Sequence, residues 1–130
     1  MLNKILVVDD SAAIHQTYQM TLARYKCSVL TALSGVEGLN LLASNPDVDL
    51  LIVDMNMPHM SGIEFIKRVK EQEAFSNIPI IAVIMKEKEG DSQEARQLSQ
   101  GILMKPFTSG EIHLEIGRLF PEGAVEAKTF

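Results

Sequence analysis

Leu50-Leu51-Ile52-Val53-Asp54-Met55-Asn56-Met57-Pro58-His59-Met60-Ser61-Gly62 joins a wholly apolar run to a turn rich in methionine, proline and glycine. The apolar run reads as a strand buried on both faces, which places it in a parallel sheet. Asp54 then stands where that strand gives way to the turn, held by a rigid element yet exposed at its end. Reacting groups collect at such positions in α/β sheets.

The neighbouring segments repeat the pattern. Lys4 to Val8 is β-branched and apolar and runs into Asp9-Asp10. Ser28 to Ala32 reads as a second strand, Asp49 to Val53 as the third, Ile80 to Ile84 as the fourth and Ile102 to Met104 as a short fifth ending in Lys105-Pro106. Pro79 falls at a strand start, where a missing N–H is tolerated. Helical segments alternate with them. From Ser11, the residues Ile14, Tyr18, Leu22 and Tyr25 recur on one face. Ser34-Gly35-Val36-Glu37 and Ser61-Gly62-Ile63-Glu64 each read as a capping box, and Thr108-Ser109-Gly110-Glu111 caps a last helix. The second opens a helix with the stripe Ile63, Ile66 and Val69; the third opens one with Ile112, Ile116 and Leu119. Asp91-Ser92-Gln93-Glu94 follows a polar turn over Lys86 to Gly90 and begins a helix nearly bare of apolar residues apart from Ala95 and Leu98. Five apolar strands alternating with five helices imply a single doubly wound α/β domain, a parallel sheet covered on both faces by right-handed crossovers.

Composition bounds the function. The chain has 130 residues, 46% of them hydrophobic and 22% charged, with a net charge of −5, ordinary values for one globular domain. No apolar run approaches the ~20 residues of a spanning helix, and the start lacks a signal-peptide pattern, so no membrane association and a cytoplasmic location are expected. Acidic balance without a Lys/Arg cluster argues against direct nucleic-acid binding. Cys27, the one cysteine, excludes an internal disulfide and reads as a reduced packing residue.

Asp9, Asp10 and Asp54 fall at strand ends that the topology brings together. Carboxylates so gathered repel one another and call for a cation. Sparse all-oxygen ligation that leaves water on the metal suits Mg2+. Lys105 adds a second positive charge, and metal plus lysine beside an exposed carboxylate is an arrangement for phosphoryl transfer to aspartate.

These motifs, Asp9-Asp10, Asp54 followed by Met57-Pro58 and Gly62, and Lys105-Pro106-Phe107, resemble the receiver domain of two-component response regulators, the family of the bacterial chemotaxis switch protein, over Leu2 to about Phe120. The resemblance implies a flavodoxin-like sheet of order 2-1-3-4-5. It implies a domain over residues 1–120, with 121–130 a frayed tail or the start of a linker. Asp54 would be the phosphoacceptor, Asp10 a direct Mg2+ ligand, Asp9 a ligand largely through water, and the Asn56 carbonyl the remaining protein ligand. Lys105 would contact a phosphoryl oxygen, aimed by a cis bond before Pro106. Partners would be a histidine kinase or phosphotransfer protein and an output protein or fused effector domain. Catalysis would be limited to the domain's own phosphorylation and hydrolysis of its acyl phosphate.

Two positions depart from the family pattern. Ile84 falls where the family places Thr or Ser, and Ile102 where it places an aromatic switch residue; the segment between Ile84 and Lys105 also lacks the usual Gly-Ala approach to the fifth strand. They leave a second reading open, a receiver-shaped interaction module recognised regardless of phosphorylation. A flavin carrier is disfavoured, because Asp9-Asp10 would repel a phosphate. Lys86 either tunes acyl-phosphate hydrolysis, a role the resemblance also gives Asn56, or belongs to the solvated run Lys86-Glu87-Lys88-Glu89. His15, His59 and His113 read as surface residues, and Met55, Met57 and Met60 as loop packing.

Overall fold

The structure, a computed structural model, describes residues 2–121; the tail expected from residue 121 lies outside them from residue 122 onward. Among the described residues five strands, β1 (Lys4–Val8), β2 (Ser28–Ala32), β3 (Leu50–Asp54), β4 (Ile80–Met85) and β5 (Gly101–Lys105), alternate with five α-helices, α1 (Ala12–Leu22), α2 (Gly35–Ser44), α3 (Gly62–Lys70), α4 (Gln93–Leu98) and α5 (Ser109–Leu119). All strand pairs are parallel, in the order β2-β1-β3-β4-β5, as expected.

Alternation along the strands divides the core in two. Leu6, Val8, Leu51, Val53, Ile80, Ala82 and Ile84 pack with Leu42 of α2, Phe65, Ile66 and Val69 of α3 and Ala95 of α4. Ile5, Val7, Leu50, Ile52, Ile81, Val83 and Leu103 pack with Tyr18 and Leu22 of α1 and Ile112 and Ile116 of α5. Because strand side chains alternate with a period of two, Asp9, Asp54 and Lys105 continue the faces of Val7, Ile52 and Leu103. All three carry their charge to the α1/α5 side.

Boundaries depart from expectation where side chains find other work. β3 begins at Leu50 rather than Asp49, whose carboxylate accepts from the backbone N–H groups of Asn3 and Lys4 at 2.8 and 3.0 Å while its own N–H donates to the Lys4 carbonyl. β5 starts at Gly101, whose missing Cβ would meet Ile81 Cγ1 at 3.2 Å. The polar turn is a 3-10 stretch, Lys86–Asp91, interrupted at Lys88, and the thin helix after it has six residues. Tyr25 is buried but lies beyond the end of α1. The α3 stripe is Phe65, Ile66 and Val69, with Ile63 only partly buried. At the two expected capping boxes Ser34 caps α2 and Ser61 caps α3, but Glu64 turns to Arg68; the cap expected at Thr108 is a full box, with Glu111 making the reciprocal half.

Gly62 fixes the turn after β3. A Cβ there would press on the Asp54 carbonyl oxygen and lie 2.6 Å from Met55 Cα, backbone atoms that cannot rotate away. Gly62→Ala is therefore expected to cost about 3 kcal/mol or more, read as a fall in the urea midpoint; an unchanged midpoint would contradict this packing.

Candidate functional site

The strand order reverses between β1 and β3, and the crevice outside their carboxyl ends is where such sheets place their sites. Asp9 leaves β1 there, with its side chain buried. Its Oδ1 accepts from the Ser11 N–H at 2.9 Å and its Oδ2 from Lys105 Nζ at 3.0 Å. Ser11 caps α1, its Oγ accepting from the Ile14 N–H, so the exposed Asp10 is held between a strand end and a helix start.

Asp54 closes β3 and is only 3% exposed. Its Oδ1 accepts from the Asn56 N–H at 3.1 Å, and Lys105 Nζ stands 3.6 Å from its Oδ2. One carboxylate oxygen from each of Asp9, Asp10 and Asp54 lies within 4.8 Å of the others. Burial pushes the Asp54 carboxyl up to about 6; the Asn56 N–H opposes this, the charge of Asp9 adds to the rise, and Lys105 counters it. A buried carboxyl whose neighbours include two more carboxylates fits a hard divalent cation, which would relieve the repulsion with oxygen donors already in place.

Lys105 reaches this point from β5, on the far side of β4. Its register with Met85 puts it at the same edge of the sheet. The Lys105-Pro106 bond is cis, as expected. Lys105 Nζ touches two of the three carboxylates, so one ammonium partly neutralises the cluster. The structure thus brings together Asp9, Asp10, Asp54 and Lys105, with Asn56 joined through its backbone.

Other expectations fare differently. Met55, Met57 and Met60 are buried against the α2/α3 side of the core, filling the loop as expected. Cys27 packs at the edge of the α1/α5 core, and burial pushes its thiol up to about 11, which suits an inert packing residue. His59 is exposed, with a positive φ of 68°. His113 is half-buried, with Tyr25 Oη 2.7 Å from its Nδ1, rather than on the helix surface. Burial and the charge of Arg24 lower its pKa.

His15 is likewise not a surface residue. It is buried, with Nε2 2.7 Å from the Asp9 carbonyl oxygen and 3.0 Å from that of Ala32. Both partners are acceptors, so Nε2 carries the proton. It ties the end of β1 to the end of β2. The helical face that predicts Tyr18 and Leu22 also contains position 15, and the polar side chain turns in because the Asp9 and Ala32 carbonyls, the latter also accepting from the Asp9 N–H at 3.0 Å, lie within its reach.

Ile84, 2% exposed, faces the α3/α4 side. Together with Met55, Asn56, Ile63, Lys88, Ser92 and Ala95 it lines a pocket beside the site. Ile102 is half-buried and packs on the same side of the core.

The family model for the response regulator receiver domain matches residues 5–117. A chemotaxis protein CheY homolog of Campylobacter jejuni is 39% identical over 109 residues, 81% of this chain and 82% of that protein. Chemotaxis protein CheY1 of Helicobacter pylori is 38% identical over 109 residues, 81% of this chain and 86% of its own. Among solved structures, chemotaxis protein CheY4 of Vibrio cholerae superposes with a TM-score of 0.82 at 33% identity, covering 91% of this chain and 98% of that one.

Proposed function

The chain belongs to the response regulator receiver domain family, and we propose that it accepts a phosphoryl group on Asp54 from a histidine kinase or phosphotransfer protein. The observation that carries this reading is the convergence of Asp9, Asp10 and Asp54 with Lys105 at one edge of the sheet.

Receiver domains bind Mg2+ at such an acidic pocket, and here Asp10 would ligate it directly, Asp9 largely through water, with Asp54 and the Asn56 carbonyl completing the protein's share. When bound, the ion supplies positive charge toward the oxygens of the incoming phosphoryl group. The chain's own residues do the rest. The Asn56 N–H holds one Asp54 oxygen, leaving the other to attack phosphorus. Lys105, already near that oxygen, receives a phosphoryl oxygen as charge builds. The bond from the donor's histidine nitrogen to phosphorus breaks as the Asp54 oxygen–phosphorus bond forms. Water later cleaves the acyl phosphate.

Ile84 and Ile102 favour a second reading, a module whose partners bind it regardless of phosphorylation. An isoleucine at the end of β4 donates no hydrogen bond, so a contact to a charged oxygen worth about 1.5–3 kcal/mol is absent. The test is intact mass after incubation with Mg2+ and a small acyl-phosphate donor. A Mg2+-dependent adduct absent from Asp54→Asn supports the phosphoacceptor; no adduct in folded protein favours the module.

A further inference from the structure

Tyr18 is fully buried, and its hydroxyl has no hydrogen-bond partner among the described residues. A buried phenol ordinarily finds an acceptor. Packing alone would be met by phenylalanine, whose ring would keep the tilted contact with Phe107, centroids 5.7 Å apart. The fold gives the hydroxyl a destination. Val7, Ile52 and Leu103, whose faces lead into Asp9, Asp54 and Lys105, belong to the same cluster as Tyr18. α1 begins directly after Asp9-Asp10, and helical side chains lean toward the N-terminus of their own helix. The Tyr18 ring, packed on Phe107 two residues past Lys105, therefore leans toward the end of the sheet where the carboxylates stand. Burial, and then the charges of Asp9 and Asp54, raise its pKa and keep it a neutral donor.

We propose that Tyr18 is a positioning residue of the acidic site, its hydroxyl donating to the Asp54 carboxylate once a divalent cation has drawn the three carboxylates together. The inference rests on the cation-binding part of the proposed function. A donor without a partner in one state and satisfied in the other favours the second. Tyr18 thus supports the loaded site from the α1 side, opposite the face occupied by Ile84.

The test is Mg2+ titration of the protein and of Tyr18→Phe, followed by calorimetry and by tyrosine emission, which is readable because the chain has two tyrosines and no tryptophan. Mg2+ is expected to change the emission of the unsubstituted protein, and this change is lost in Tyr18→Phe. The variant binds Mg2+ about fivefold more weakly, while its thermal midpoint without Mg2+ does not fall, since it removes an unsatisfied hydroxyl and keeps the ring. Equal affinity in the two proteins overturns the inference and leaves the cation site intact. Unaltered emission of the unsubstituted protein at saturating Mg2+ also overturns it, whatever the variant does. No Mg2+ binding by the unsubstituted protein overturns the cation site and the inference together.

Discussion

Asp54→Asn is expected to stabilise the metal-free protein by about 2–3 kcal/mol at pH near 7, while removing its capacity to carry a phosphoryl group. The carboxyl rises from 3.8 to about 6 in the folded chain. A carboxyl raised in the folded state contributes stability below its unfolded pKa, and that contribution is lost as pH rises through about 6. Above that value the ionised Asp54 is a cost, which asparagine avoids without changing the side chain's shape. Urea unfolding of both proteins across pH should show a stability gap that is widest above about pH 6 and closes below about pH 4. A gap independent of pH would contradict the burial assigned to this carboxylate.

Lys105→Met should act in the opposite direction. Asp9 is 1% exposed and Lys105 Nζ is its one ion-pair partner among the described residues. Methionine keeps most of the stem and removes the charge, leaving a buried carboxylate uncompensated. Losses of about 3–5 kcal/mol follow such changes, and the lower end applies because the Lys105 side chain is a quarter exposed. Mg2+ restores positive charge at the same point, so it should stabilise Lys105→Met more than it stabilises the unsubstituted protein. Equal stabilisation of the two would separate Lys105 from the cation site.

The sheet was legible because its strands are buried on both faces, so Lys4–Val8 and Leu50–Val53 could hardly be anything else. The acidic site was legible for a related reason. Asp9, Asp54 and Lys105 each follow an apolar run directly, and parallel topology brings strand ends to one edge. What escaped depends on contacts between segments far apart in the chain. His15 turns inward because β1 and β2 end with carbonyls within its reach. His113 is drawn in by Tyr25, 88 positions earlier. Glu64 leaves its capping box for Arg68, a choice between two nearby partners that spacing alone does not resolve. Tyr18 was visible as a packing residue, whereas its unsatisfied hydroxyl could be found only once the ring had been placed.

The most direct measurement treats the protein, loaded from an acyl-phosphate donor with Mg2+, with borohydride, which reduces a phosphorylated aspartate to homoserine, and maps the product by peptide mass. Homoserine at position 54 alone is the expected result. Homoserine at position 9 or 10, or none in protein that is folded and binds Mg2+, would contradict Asp54 as the phosphoacceptor.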